Sequence, residues 1–482
     1  MAIQHLLTLA NRSRRPCQSL GATLLSHVRI YNSPYSTLAD DNSVPLIQVT
    51  TLPSGLRVAT ESNFSSDTAT VGVWIDAGSG IESLKTSGTG FFLKRMLVKG
   101  TETRTERQLE EEIENLRGYF RAYSNKENTY FYAQVMDKEV PQALDILSDI
   151  VQNPNIKKRK IESERHEILR YIKELEEETE EAIVDHLHAT AFPDSPLGRT
   201  VVGPAENVKT ITKKELRNYM SSHYTAPRMV IAACGAVKHE EIVEQVKSLF
   251  TKLPEGSTTT SEVAAKDKTI FTPSEVRIYD DNVPLAHFSV AFNGPSWTDP
   301  DLITLMVMEF MIGDYRKCSG SSAMDTSSAL VERLRTSEIA EKLTTFTYNY
   351  RDAGLFGFHA IAKPDCLDVL AHSIMYKVTQ LCYKVSIDDV VRACDQLKSS
   401  FLRRANDTED AADDIGNQLL AYGRKISYAE LCARIDAVDA KTVKRAANRF
   451  IFDKDLAMVA IGPVQDLPNY DWFRRRTCWN KT

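Results

Sequence analysis

The sequence predicts an α+β protein of two homologous tandem domains, each a mainly antiparallel sheet covered by helices on one face. Three observations carry this. Residues 212–237 (TKKELRNYMSSHYTAPRMVIAACGAV) align without a gap on residues 439–464 (DAKTVKRAANRFIFDKDLAMVAIGPV). Each copy reads as a polar–apolar helix, a short apolar strand, then Gly235 and Val237, or Gly462 and Val464. Only two copies exist, so they indicate duplicated domains rather than a solenoid. Second, strand-like runs precede helix-like runs in each half, the order of an α+β layer structure. Third, residues 253–274, rich in Thr and carrying Pro254, Gly256 and Pro273, have the composition of a linker.

The elements follow in order. Residues 69–76 (ATVGVWID) alternate Val71, Val73 and Ile75, the period of a half-buried strand. Residues 119–123 and 129–135 read as two strands around a turn, and residues 141–152 and 161–178 as long helices. The second half repeats the pattern: a strand at 285–292, a strand pair at 345–350 and 355–362, then helices at 366–383 and 387–403. Between them, residues 313–326 (GDYRKCSGSSAMDT) form a polar loop. The divisions become a start segment 1–40, a first domain 46–252, a linker 253–275, a second domain 276–470 and a basic tail 471–482.

Composition narrows the function. A chain of 482 residues with 42% hydrophobic and 26% charged residues is ordinary for a soluble globular protein. No apolar run approaches the roughly 18 residues of a membrane-spanning helix, and a net charge of −6 gives no nucleic-acid footprint. The 8 cysteines form no C-x-x-C pair, which argues against a Cys zinc site and suggests a reducing compartment. Cys382 and Cys394 read as small core hydrophobes on helices. The start segment holds Arg12, Arg14, Arg15 and Arg29 but no Asp or Glu before Asp40, the signature of a mitochondrial transit peptide. P-loop, G-x-S-x-G and dinucleotide signatures are missing.

The chemistry is concentrated in Gly88-Thr89-Gly90-Phe91-Phe92-Leu93-Lys94-Arg95-Met96, followed by Lys99-Gly100-Thr101. This frame resembles the inverted zinc motif H-x-x-E-H of the pitrilysin-type metallopeptidases. In the form G-T-A-H-F-L-E-H-M…K-G-T it is similar to the β-subunit family of mitochondrial processing peptidases. The resemblance runs from residues 49–56 (VTTLPSGL) to residues 473–476 (FRRR), and implies two pitrilysin-like lobes packed against a paired subunit. In that family the two His and the Glu share one helix face, so that Zn²⁺ is held and its water activated by the Glu as general base.

Residue by residue, the resemblance puts Phe91 and Arg95 at the zinc-ligand positions and Lys94 at the base position. The third ligand, a Glu on a later helix, is matched by Tyr171 within residues 164–172 (ERHEILRYI), and a substrate-contacting Asn by Arg121 within residues 121–124 (RAYS). Phenylalanine has no donor atom, and arginine is a permanent cation. Loss of the metal would leave the retained carboxylate of Glu164 without its cation, so a replacement ion-pair cluster of Lys94, Arg95 and Glu164 is expected. His186-x-His188 is not a ligand pair, because residues two apart on a helix point to different sides. His166 reads as a surface residue. Residues 174–181 (ELEEETEE) are either a solvated helix face or an acidic surface for basic peptides.

The resemblance then implies a non-catalytic subunit in the mitochondrial matrix or on the matrix side of the inner membrane, with no cofactor. It would serve as a structural core component of ubiquinol–cytochrome c reductase (respiratory complex III), or as partner of an α-type processing-peptidase subunit. Two alternatives stay open: an active zinc metalloendopeptidase removing presequences, and a module that binds basic presequences without cleavage.

Overall fold

The computed structural model describes residues 47–63, 67–193, 195–254, 269–317 and 328–478. The start segment 1–40, most of the linker and the end of the tail lie outside the described residues. The first half carries strands β1 (Ile47–Thr51), β2 (Arg57–Ser62), β3 (Thr68–Ile75), β4 (Tyr119–Ser124), β5 (Thr129–Met136) and β6 (Met229–Gly235). Its helices are α1 (Thr89–Leu97), α2 (Glu106–Asn115), α3 (Val140–Gln152), α4 (Lys158–Glu177), α5 (Thr179–Ala191), α6 (Ala205–Thr210), α7 (Lys213–His223) and α8 (His239–Leu249). The second half carries β7 (Ser274–Tyr279), β8 (Ala286–Asn293), β9 (Tyr315–Arg316), β10 (Lys342–Asn349), β11 (Gly354–Ala362) and β12 (Leu456–Gly462). Its helices are α9 (Leu302–Ile312), α10 (Ala329–Ser337), α11 (Leu367–Gln380), α12 (Ile387–Ala405), α13 (Thr408–Tyr422), α14 (Tyr428–Asp436), α15 (Ala440–Phe450) and α16 (Tyr470–Arg476).

The strands form two six-stranded sheets, β1-β2-β6-β3-β5-β4 and β7-β12-β8-β11-β10-β9. Each contains one parallel pair, β2–β6 or β7–β12, and is otherwise antiparallel. The internal repeat is real at backbone level. α7 opens on a Thr212/Glu215 capping box and α15 on Asp439, which accepts from the Thr442 amide at 2.7 Å, each satisfying orphan N–H groups. Both copies end their strand on a glycine of positive φ, 105° at Gly235 and 107° at Gly462. A Cβ would sit 2.3 Å from the Thr68 carbonyl oxygen in one and 2.8 Å from that of Leu285 in the other, so only glycine fits.

Several expectations needed revision. The polar loop after Gly313 supplies β9, a short edge strand paired with Lys342 and Leu343. The helix read at 366–383 ends at Gln380, leaving Cys382 in the turn beyond it. Burial pushes the Cys382 thiol up to about 12 and that of Cys394 up to about 11. At the start of the basic tail, residues 470–476 form α16, which drops Phe473 into the second core. No helix among the described residues is long and apolar enough to cross a membrane.

The largest correction concerns the sheets, which are covered on both faces. Val71, Val73 and Ile75 face their own half, packed with Leu144, Leu147 and Val246 of α3 and α8. Residue 74, expected to face water, is a tryptophan with no exposed surface. It lies against α13, a helix of the other half, in a cluster with Ala412, Ile415 and Leu419. Trp74 Nε1 donates to Asp413 Oδ1 at 3.1 Å, and Gly416 leaves room for the indole, since a Cβ there would meet Trp74 Cγ at 2.3 Å. The exchange is reciprocal. α5, from the first half, lays Ile183, Leu187 and Ala191 on Ala291, Leu355, Ala457 and Val459 of the second sheet. A strand alternation read within one half cannot show a cover supplied by the other.

Polar contacts fix the junction. Asp76 is ion-paired with Arg351, and Glu127 accepts from Trp297 Nε1 at 2.8 Å and from the Arg351 amide at 2.7 Å. His188 has its Nδ1 2.8 Å from the Val184 carbonyl and its Nε2 2.7 Å from the Tyr350 hydroxyl. A carbonyl only accepts, so Nδ1 carries the proton and Nε2 accepts from the tyrosine. Burial, assisted by Lys126, holds the imidazole down at about 3. The unfolded histidine titrates near 6.5, so between these values the unfolded chain binds the extra proton and stability falls as pH drops. His188→Gln is expected to flatten urea-unfolding free energy against pH by about 1.4 kcal/mol per unit over that window. An unaltered slope would remove His188 from the acid response.

Candidate functional site: a cleft floored by aromatic rings and cations

The site begins with the entry to α1. Gly88, at φ 93°, turns the chain into the helix, and a Cβ there would meet the Val202 carbonyl oxygen at 2.5 Å. Gly90 abuts the Tyr219 hydroxyl, where a Cβ would come within 2.6 Å. The Glu82 carboxylate accepts from the Gly88 and Gly90 amides at 2.7 and 2.6 Å, capping the positive end of the helix. Burial nevertheless pushes Glu82 up to about 7, against those two amides and Arg199. This anchor fixes α1 tightly against α7, and Phe91, Lys94 and Arg95 project together from the helix three and four residues apart.

The structure brings these three together with Glu164 and Tyr171 of α4. Phe91 and Tyr171 stack with ring centroids 5.9 Å apart and planes within 4° of parallel, an arrangement favourable beyond its area alone. The Arg95 guanidinium forms a charge-assisted bond to Glu164, whose side chain is only 3% exposed. Lys94 places Nζ 4.2 Å from the Phe91 ring centroid, a cation–π contact. No hydrogen bond or ion pair reaches that ammonium from any described residue. Burial and, after it, the adjacent Arg95 together lower the Lys94 ammonium to about 7, with Glu164 only partly offsetting them.

Lys94 therefore holds its proton less tightly folded than unfolded, and the fold loses stability as pH falls from about 10.5 toward 7. Lys94→Met, which keeps the aliphatic stem, is expected to stabilise the protein by about 1–3 kcal/mol at neutral pH. Thermal melts at about pH 7 and 10 test this, and a destabilised variant at pH 7 would refute it.

Above this floor opens a cavity of about 500 Å³. Its walls include Ala122, Tyr123 and Ser124 of the edge strand β4, and acids from α4 and α5: Glu167, Glu174, Glu180, Glu181 and Asp185. The acidic run 174–181 spans the break between these helices, which puts part of it on the cleft wall. Burial raises the Asp185 and Glu181 carboxyls. Glu180 is held below its usual value despite burial, by its bond to Lys342 of the second half.

Other singled-out residues lie elsewhere. Arg121 does not line the cavity; it reaches Tyr123 at 3.4 Å and Glu409 of α13 at 4.0 Å. His166 is exposed, with Nδ1 bonded to the Glu162 carbonyl at 2.6 Å. His186 is exposed and His188 buried on the opposite side of α5. Neither Glu82 nor Asp185 could be singled out from the sequence, since neither belongs to a recognisable motif.

A zinc ion does not fit this donor set. The floor offers a stacked phenyl ring, a phenol ring against it, a guanidinium already paired and an ammonium. Among the described residues no group of three or more His, Cys, Asp or Glu is arranged to hold a metal. At the position that the resemblance gives to the general base, Lys94 stands in place of a carboxylate.

Comparison with known proteins supplies the relatives. Residues 57–205 match the model of insulinase (peptidase family M16), and residues 210–397 that of the peptidase M16 inactive domain. The chain is 58% identical to the probable mitochondrial-processing peptidase subunit beta of Arabidopsis thaliana over 454 residues, 94% of this chain and 85% of that one. It is 42% identical to the mitochondrial-processing peptidase subunit beta of Neurospora crassa over 425 residues, covering 88% and 89% of the two chains. A chain of complex III2 from Candida albicans superposes with a TM-score of 0.78 at 22% identity, covering 89% of this chain and 99% of that one, and so shares the fold.

Proposed function

The chain belongs to peptidase family M16, and from that premise we propose that it is a non-catalytic β-type subunit of mitochondrial processing peptidase. Its work is structural, as a core component of respiratory complex III or as the partner of an α-type processing subunit, in the matrix or on the matrix side of the inner membrane. The observation that carries this reading is the floor of the cleft, where the Phe91–Tyr171 stack and the Arg95–Glu164 pair stand in place of the donors that would hold a metal and its water. Fold alone assigns no activity; the donor chemistry argues against one here. The relatives named as mitochondrial support the compartment, and the Arg-bearing start segment, with no Asp or Glu before Asp40, agrees with it.

A second reading, binding of basic presequences without cleavage, is favoured by the acidic wall of the cleft. The active zinc endopeptidase finds no support in the donor set. Purified protein is expected to carry no zinc above a metal-free control and to leave a matrix-targeting peptide uncut. Co-migration with complex III or with an α-type subunit on a native gel identifies the assembly. Stoichiometric zinc together with turnover would overturn the reading.

A further inference from the structure

Lys94 differs from the other cations that the fold buries. Lys126 donates to the Arg199 carbonyl at 2.8 Å, Arg228 donates to that of Asp76 at 2.5 Å, and Lys377 lies 3.9 Å from Asp389. Lys94 is 7% exposed and lines the cavity, yet only an aromatic face stands against its ammonium. Arg95 beside it is already engaged by Glu164. The floor thus holds one ammonium with no direct ion pair, since the Glu164 carboxylate that acts on it is engaged by Arg95, in a setting where an unmatched charge is costly.

The wall has the opposite sign. Glu167, Glu174, Glu180, Glu181 and Asp185 face the same cavity. Arg170 pairs with Glu167 and Glu174, and Lys342 with Glu180, which leaves an excess of negative charge on the wall. A ligand complementary to both regions carries a negative group at one end and positive groups along its length. The about 500 Å³ of space is within the range that holds a few residues of a ligand. We propose that the cleft binds basic peptides by their free C-terminal carboxylate, seated on Lys94, with the cationic side chains upstream lying along the acids of α4 and α5. A peptide ending in an amide, or continuing past this point, has no anion to offer Lys94. The proposal adds a terminus requirement to the binding of basic peptides, and rests on the cleft leaving peptide bonds intact.

The test uses the full chain and an N-terminally labelled Arg-rich octapeptide made as the free acid and as the C-terminal amide. Fluorescence anisotropy at about pH 6, where the amine keeps its proton, gives both affinities, and mass spectrometry afterwards checks the peptide. The free acid is expected to bind at least about tenfold more tightly than the amide, because one desolvated carboxylate–ammonium contact separates them. Lys94→Met should abolish that preference, bringing the free acid and the amide to equal affinity. Equal affinities on the unaltered protein, or no binding of either peptide, with both recovered whole, would overturn the terminus requirement alone. Recovery of cut peptide would overturn it together with the non-catalytic reading.

Discussion

Replacing Arg95 with alanine is expected to lower the unfolding free energy by about 3–5 kcal/mol, among the largest effects available at the cleft. The reason is the partner left behind. Glu164 is 3% exposed, and a carboxylate stripped of its counter-ion at that depth costs far more than the pair contributed. Lys94 is a poor substitute, because burial already disfavours its charged form. Removing Arg95 also lifts one of the causes that depress the Lys94 ammonium. The penalty should therefore be smallest at low pH, where Lys94 is charged and can answer Glu164, and should grow as pH rises and that charge is lost. The double replacement Arg95→Met with Glu164→Leu removes both charges and should return stability to within about 1 kcal/mol of the parent. Urea midpoints of the single and double variants decide the matter. If the double variant is as weak as Arg95→Ala, the shape of the guanidinium matters and not its charge.

Trp74→Ala should be comparably damaging, at about 3–5 kcal/mol. The indole has no exposed surface and stacks with Tyr130 and Tyr132, at centroid distances of 5.9 and 6.3 Å. Its removal opens a hole beneath α13 and takes the donor from Asp413, a carboxyl that burial already raises. The signature should be local before it is global. Residues 408–422 are expected to gain hydrogen exchange and protease cleavage well below the main melting transition. Gly416→Val probes the same contact from the other side, since its Cβ would fall inside the indole. A melting temperature unchanged in both variants would mean that α13 is held mainly by its polar bonds, such as that of Arg57 to the Leu419 carbonyl at 2.6 Å.

Much of this architecture was legible because its signals are local. The duplicated segment announced two like halves through cap, strand and terminal glycine, each demanded by backbone geometry. The hairpins at 119–135 and 345–362 were visible from their alternation, and the long helices from their apolar period. What escaped was non-local. Residues 69–76 alternate as a half-buried strand does, yet both faces are covered, because α13 arrives from more than 300 residues downstream. At the site, the identities of Phe91, Lys94, Arg95 and Tyr171 already spoke against a metal. Their mutual arrangement, with ring on ring and Lys94 without a direct ion pair, depends on how α1 meets α4, and no spacing rule reports that. Glu82 was invisible for a related reason: a lone glutamate six residues before a glycine becomes a cap only once the chain has turned.

The mutual exchange of α5 and α13 bears on how the polypeptide can be divided. A cut between residues 255 and 268 severs the peptide but not the clasp, so the two fragments should elute as one particle without denaturant. Made separately, each would present the greasy back of a sheet and should aggregate until its counterpart is supplied. The gene duplication legible in this chain has thus produced two modules that can no longer be inherited apart.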